Sequence, residues 1–480
     1  MKIALVLIGN SNLGNNLTNF ALYSLVRKLC PNDEVVAINA PREYYSDYYG
    51  CDLFCLFKYT NDFPAHNVNR GDELENIGKQ YDIYICGSDQ IWRLGFATLT
   101  NMYPYMDWVD SKKKKISYST SFGIEHYEGN HDDTWLASKF IERFDHISVR
   151  ESSGIDIINN TFMVDKKVEC VLDPVLLLDD CVIEELLNRS NYSDDSNYIA
   201  AYLWEKDNVR AVKNINKLFN NFNNVIINVR VMADFKFDSD SDELCVEDWL
   251  KIIKESELLV TDSFHGVCAS IILKKDFYFI KTDNPRGFTR IYDLLNKLDL
   301  TDRIIKKDDV VIRKNIDYTK VMAKLSLLQN SGINWLKRSI YSNDDNKAED
   351  ELFLNLYKER LRSKKTNNDR FKDLFEWIKA HYESFSEIAV WGVSDIFARN
   401  YKEIKSQLGV TKVFDNDKEK WGNKYFGLTC YCPEDLNSQI VVLILLEPIR
   451  FNYDIEKQLI KKGITKVLSY NTITGLIGRI

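Results

Sequence analysis

Residues able to do chemistry recur at the ends of apolar runs. The most pointed case is "TDSFHG" at 261–266, between the strand-like Leu258–Val260 and the apolar run that starts at Val267. It carries the imidazole of His265, a group that can transfer a proton near neutral pH. "GNSNLGNN" at 9–16, "GSDQIW" at 87–92, "STSFG" at 119–123, "SVRE" at 148–151 and "DNPRGFTR" at 283–290 occupy similar places. Glycines beside small hydroxyls and amides let backbone N–H groups approach an anion. Arg150, Arg286 and Arg290 can add bidentate contacts to phosphate or carboxylate. Each piece also has a plain reading. A strand-end histidine can be structural, Arg150 and Glu151 can form a surface ion pair, and "GSDQ" can be a capped turn. Asp173 in "LDP" reads as fixing a turn before Pro174 rather than acting on substrate. What favours a site is the coincidence of cationic and small polar groups at strand ends in two successive units.

The elements that must position these groups alternate. "IALVLIG", "EVVAINA", "YDIYICG", "KKISYSTSFG", "HISVRE" and "VECVLDPVLLL" read as strands, with helices such as "LTNFALYSLVRKL" and "DTWLASKFIERF" between them. After the polar "NRSNYSDDSN" the alternation restarts: "YIAAYLW", helix "NVRAVKNINKLFNNF", strand "NVIINVR", helix "VEDWLKIIKES", strand "ELLVTDS", a helix over about 266–274, strand "DFYFIK" and helix "GFTRIYDLLNKL". Such alternation implies mainly parallel sheets, which bind ligands at the carboxyl ends of their strands. The expected organisation is an α/β domain over 1–188, a second over 189–344, a charged helical linker over 345–374 and a small α/β domain over 375–480. In the last, "WGVSDIFA" stands where a dinucleotide loop would, but one glycine does not make that fingerprint.

The chain has 480 residues, more than one core can hold, and a net charge of −8, which argues against a nucleic-acid partner. "KKKK" at 112–115 and the acidic "FDSDSDEL" at 237–244 read as solvated loops, and no metal site is expected. Ten cysteines lack a zinc spacing and read as reduced thiols. No run approaches a membrane span, and the first residues read as a strand rather than a signal segment. A cytoplasmic protein is expected, with peripheral membrane association and oligomerisation left open.

The ordered set "NLGNNLTNFAL", "GSDQIW", "SYSTSFG", "SVRESSG", "VLDPVLLL", "VEDWLKIIKESELLVTDSFHGVCASIIL", "TRIYDLL" and "INWLKRSI" resembles the polysaccharide pyruvyl transferase family over about residues 1–340. The resemblance implies a GT-B-like pair of Rossmann-type domains with the site between them. It also implies transfer of pyruvate from phosphoenolpyruvate to sugar hydroxyls as a ketal, in assembly of capsular or other cell-surface polysaccharide. Phosphoenolpyruvate is then a co-substrate, no cofactor is expected, and the partner is a sugar acceptor, lipid-linked or free. The histidine of the family's "HG" motif falls on His265, as acid. The arginine of its "S-x-R" motif falls on Arg150, as donor ligand. Some members carry a lysine in "Asp-Pro-Lys"; here the text is "DNPRGFTR", so Arg286 or Arg290 takes that role. Ser263 is expected beside the donor, and Asn12, Asn15, Asp89, Gln90 and Ser121 line the cleft or meet the acceptor. Two other classes stay open: a GT-B nucleotide-sugar glycosyltransferase, and a non-catalytic sugar-binding assembly protein.

Overall fold

The computed structural model describes the chain except for residues 43–51, 59–62, 95–96, 98–99, 101, 130, 194–196, 205–211, 213–225, 229–243, 283–286, 307–308, 310–313, 343–369, 383, 446–454, 456–457, 460 and 470–480. The acidic stretch at 237–243, most of the helix expected at 208–222, the charged linker up to residue 369, and Arg286 therefore lie outside the described residues. Two compact units form: Met1–Tyr127 with Phe140–Lys347, and Glu128–Lys139 with Ala348–Ile480.

The larger unit holds two sheets. The first contains β1 (Lys2–Leu7), β2 (Glu34–Asn39), β3 (Ala65–His66), β4 (Ile83–Asp89), β5 (Lys114–Thr120), β6 (His146–Val149) and β7 (Val168–Cys170). Its spatial order is β3-β2-β1-β4-β5-β6-β7, parallel throughout, with Ile3 opposite both Val35 and Ile83. The order turns around between β1 and β4, so the crevice at their carboxyl ends is where a ligand is expected. The second sheet contains β8 (Ile199–Tyr202), β9 (Ile226–Asn228), β10 (Leu258–Thr261), β11 (Phe277–Ile280) and β12 (Ile304–Ile305), ordered β12-β11-β10-β8-β9 and also parallel. Its turnaround lies between β8 and β10, the strand that leads into "TDSFHG". Strands β1, β4, β8 and β10 are almost wholly apolar and buried, as expected for parallel strands covered on both faces.

Helix α1 (Leu13–Leu29) has amphipathic spacing, yet most of it is buried, including Asn15, Asn16, Thr18 and Asn19. One apolar core explains this. It runs from α1 through β1, β4 and β5 into α2 (Val246–Glu255) and α3 (Phe264–Ile272) of the second half. Helix α4 (Phe288–Lys297) follows β11. Helix α5 (Tyr318–Tyr341) then packs on the first sheet: Trp335 lies 6.1 Å from the Tyr118 ring, and Gly332 approaches the Tyr118 hydroxyl. Lys114 caps its carboxyl end by donating to the carbonyls of Ser339 and Ile340 at 3.4 and 3.3 Å.

The basic run at 112–115 is not simply a solvated loop. β5 begins at Lys114, and Lys115 is buried, its ammonium donating to the carbonyls of Asp110, Ser111 and Lys113 at 2.8–3.2 Å. A buried ammonium is tolerated here because all three donors are matched.

The smaller unit has its own sheet. Its strands are β13 (Glu387–Trp391), β14 (Lys412–Phe414), β15 (Lys424–Tyr425), β16 (Leu428–Tyr431), β17 (Ile440–Ile444) and β18 (Val467–Ser469). They are ordered β15-β16-β14-β13-β17-β18, parallel except for the β15–β16 hairpin. Helices α6 (Arg370–His381) and α7 (Asp395–Leu408) cover it. Phe371 and Leu374 belong to its core, although the sequence places them in the charged linker. Periodicity within a charged stretch hides two anchoring residues.

Candidate functional site

The carboxyl edges of the two sheets in the larger unit meet at "GSDQ", "SVRE", "LDP", "TDSFHG" and "GFTR". Strand β10 ends at Thr261, whose hydroxyl donates to the Tyr202 carbonyl at 2.6 Å and accepts from the Ser263 N–H at 3.0 Å. Ser263 is extended and occupies the N-cap position of α3, without a side-chain capping hydrogen bond. The helix therefore starts at Phe264, earlier than the apolar run suggests, and His265 sits in its first turn, where backbone N–H groups have no helical partner. Gly266 is needed there, since a Cβ would lie 2.5 Å from the Thr261 hydroxyl.

His265 is buried, and its Nε2 has no hydrogen-bond partner among the described residues. The closest charge is Asp173 Oδ2 at 3.8 Å. Its other side is pressed by Gly14 at the start of α1; a Cβ on Gly14 would lie 2.5 Å from His265 Cβ and 2.6 Å from Nδ1. This α1 turn is capped by Asn12, whose side chain accepts from the Asn15 N–H at 3.0 Å.

Arg150 directly follows β6, with its side chain only 2% exposed. It donates from Nη1 to Asp89 Oδ1 at 3.1 Å and from Nη2 to Ser88 Oγ at 3.1 Å, and Nη2 is ion-paired with Asp173 Oδ2 at 2.6 Å. Arg290, from the second half, donates to the same Asp89 Oδ1 at 3.1 Å. Once its amide oxygen is turned inward, Gln90 accepts from both Arg290 amino groups, at 3.0 and 2.6 Å. Phe264 lies under both guanidinium groups, 4.8 Å from Arg150 and 4.9 Å from Arg290. A ring face and a shared carboxylate thus offset the repulsion of two adjacent cations.

Asp89 has φ +69, an uncommon conformation for a residue other than glycine. Burial opposes its charge, but His265, Arg150 and Arg290 outweigh that and hold its carboxyl well below the usual range. Asp173 behaves likewise: burial is overcome by Arg150 first and His265 next. Burial lowers the Arg290 pKa from its ordinary value.

Glu151 is the exception among the carboxylates. It is fully buried, and burial raises it above its ordinary value despite Arg150. Its Oε1 accepts from Ser121 Oγ at 2.9 Å and from the N–H groups of Phe122 and Gly123 at 3.1 and 3.2 Å. The Gly123 carbonyl in turn accepts from the Gly287 N–H at 2.7 Å, which joins this loop to the start of α4.

The structure therefore gathers His265, Arg150, Arg290, Asp89 and Gln90 in one contact network, with Ser263 at its edge. Ser121 joins through Glu151 rather than facing the cluster directly. Asn12 caps α1, and Asn15 accepts from the Asn19 side chain at 3.1 Å, so both support the helix start against His265. Asp173 fixes its turn by accepting from the Val175 N–H at 2.9 Å, as the sequence suggests, but it also belongs to the cluster. Thr18 and Phe264 were not foreseen. Thr18 donates to Asp173 at 3.1 Å and pairs with Ser88 at 2.8 Å across a long sequence separation, which no local pattern signals. Among the described residues, no group of His, Cys, Asp and Glu is arranged to hold a metal ion. No helix among them is long and apolar enough to cross a membrane.

Known proteins bear on the site as follows. The polysaccharide pyruvyl transferase family model matches residues 12–284, more than half of the chain and nearly all of the cluster. No curated protein matches. Among solved structures, UDP-GlcNAc 2-epimerase of Methanocaldococcus jannaschii is 13% identical, with 71% of this chain and 100% of that chain covered and a TM-score of 0.40. A putative UDP-N-acetylglucosamine 2-epimerase of Listeria monocytogenes is 9% identical, with 76% and 96% covered and a TM-score of 0.39. The E. coli heptosyltransferase WaaC is 12% identical, with 59% and 88% covered and a TM-score of 0.32. The two parallel α/β halves, the ordered motifs at their facing edges and the match across them lead to one assignment: this chain is a transferase that belongs to the polysaccharide pyruvyl transferase family.

Proposed function

We propose that the protein moves pyruvate from phosphoenolpyruvate onto a pair of sugar hydroxyls as a cyclic ketal. The observation that carries this reading is the convergence of two arginines from opposite halves, the buried Arg150 and the largely enclosed Arg290, beside the buried His265. Phosphoenolpyruvate carries a phosphate and a carboxylate, and two guanidinium forks suit two such groups. The donor takes over guanidinium hydrogens now shared with Asp89, the most exposed carboxylate of the cluster at 20%.

His265 as imidazolium gives its proton to C3 of the donor, so that the methylene becomes a methyl and C2 gains oxocarbenium character. The first hydroxyl attacks C2 and its proton returns to His265. The C2–O bond to phosphate then breaks with its electron pair on phosphate. The second hydroxyl closes the ring on C2, and its proton leaves with phosphate. One donor and one diol yield one ketal and one inorganic phosphate. General-acid catalysis of this kind contributes about 10²–10⁴-fold, and the arginines stabilise the charge that gathers on phosphate. The scheme uses phosphoenolpyruvate as its only co-substrate. A cytoplasmic setting, where the donor is made, and a lipid-linked acceptor for capsule or other surface polysaccharide complete the proposal.

The test is incubation with phosphoenolpyruvate and a panel of lipid-linked and model galactosides, followed by mass spectrometry. A ketal product and released phosphate are expected from the parent. His265→Ala should retain the circular dichroism of the parent and lose about 10²-fold or more of turnover. If that variant turns over within a few-fold of the parent, His265 is not the acid. Stabilisation by UDP-sugars with no response to phosphoenolpyruvate would instead favour a glycosyltransferase.

A further inference from the structure

We propose that Asp173 is a positioning residue for His265, a buried carboxylate that sets a fixed negative charge beside the imidazole. The inference rests on the reading of His265 as the acid and adds a residue to it. Asp173 is fully buried, and its two oxygens face different groups beyond a shared one, the Thr18 hydroxyl, which lies 3.1 Å from Oδ1 and 3.2 Å from Oδ2. Oδ1 also accepts from the Val175 N–H at 2.9 Å. Oδ2 is ion-paired with Arg150 Nη2 at 2.6 Å and stands 3.8 Å from His265 Nε2. A turn-forming aspartate before a proline needs only the Val175 contact. The Oδ2 side adds nothing to that turn.

The distance to His265 is too long for a hydrogen bond, so the effect is that of charge on charge in a dry setting. Such a neighbour favours the imidazolium. The surrounding groups make this necessary. Arg150 and Arg290 face the same space and oppose a third positive charge, while Asp89 and Asp173 support it and Glu151 lies behind Arg150. Asp89 is partly exposed and is the partner that an anionic donor would displace. Asp173 is held by Thr18 and Arg150, which Ser88 joins to each other, so it stays in place when the donor enters. Gly14 closes the opposite side of the ring, where even one methyl group would collide with Cβ, Cγ and Nδ1. His265 is therefore held between a carboxylate and a bare α-carbon.

The test uses the full chain with isotope-labelled histidine. The His265 ring signal is assigned by its loss in His265→Gln and followed through a pH titration without donor. In Asp173→Asn the midpoint should fall below the parental value. The alkaline limb of phosphoenolpyruvate consumption should move the same way. Thr18→Val removes the hydroxyl that anchors Asp173 without touching Arg150 or His265, and should give a smaller shift in the same direction. Thr18→Val also decides the matter if Asp173→Asn does not fold. A midpoint that stays at the parental value in the folded variants would overturn the role of Asp173. The ring titration needs no turnover, so it answers this question even if the parent fails to consume phosphoenolpyruvate, a result that would instead remove the proposed donor.

Discussion

At the scale of single residues, the site is a balance of buried charges, and small changes in position matter more than loss of bulk. Gly14 shows this. In an ordinary helix, alanine is better than glycine by about 1 kcal/mol, so Gly14→Ala would be expected to stabilise α1. Here the added carbon would stand 2.5 Å from His265 Cβ and must push the imidazole away from Asp173. Gly14→Ala should keep its fold and lose about 10²-fold of turnover, while the affinity for phosphoenolpyruvate changes much less. Steady-state kinetics beside calorimetric donor titration would separate the two effects. Some of this cluster is legible in the sequence. A histidine after a strand end, and arginines after two others, announce themselves by type and place. The carboxylate behind the histidine does not, because its partners Thr18, Arg150 and His265 come from three different segments. Asp173 looks like a turn residue because it is one.

Among the elements, the loop "STSFG" is held by Glu151, and that loop meets the start of α4 through Gly123 and Gly287. The carboxyl is raised above its ordinary value of 4.5 chiefly by burial. Its Oε2 has no partner among the described residues. The linkage follows from the direction of the shift. A carboxyl whose folded value is raised contributes stability that is fully present below its unfolded value and lost as pH rises through the folded one. Glu151→Gln cannot ionise, so its melting temperature should fall less than the parent's between about pH 4.5 and pH 8. Parallel slopes for the two proteins would mean that Glu151 does not carry this dependence. The alternation of strands and helices was readable from apolar runs bounded by polar turns. The start of α3 was not: His265 and Gly266 interrupt the apolar pattern, yet the helix already begins at Phe264, directly after Ser263. The basic run at 112–115 misled for a similar reason, since backbone carbonyls that satisfy Lys115 leave no trace in composition.

For the molecule as a whole, the larger unit acts through its two halves together. Asp89 and Gln90 come from the first sheet and Arg290 from the helix after the second. Asp293 adds a further link, accepting from Ser152 N–H and Oγ at 2.7 Å each. The sequence foretold mainly parallel α/β halves, because apolar strands and helices alternate in both, and the polar groups at their strand ends meet in the structure. It left Arg286 and Arg290 undecided, and only Arg290 lies within the described residues, where it joins the cluster. The central claim is that Arg150 and Arg290 together hold the donor, and a calorimetric titration with phosphoenolpyruvate tests it most directly. Arg290→Ala is the informative variant, because Asp89 keeps Arg150 as a partner when Arg290 is removed. Loss of a charged hydrogen bond costs about 1.5–3 kcal/mol, or roughly 10- to 150-fold in affinity. The account predicts saturable one-to-one binding by the parent and weakening of that size in Arg290→Ala. Parental affinity in the variant, or no binding by the parent at all, would contradict it.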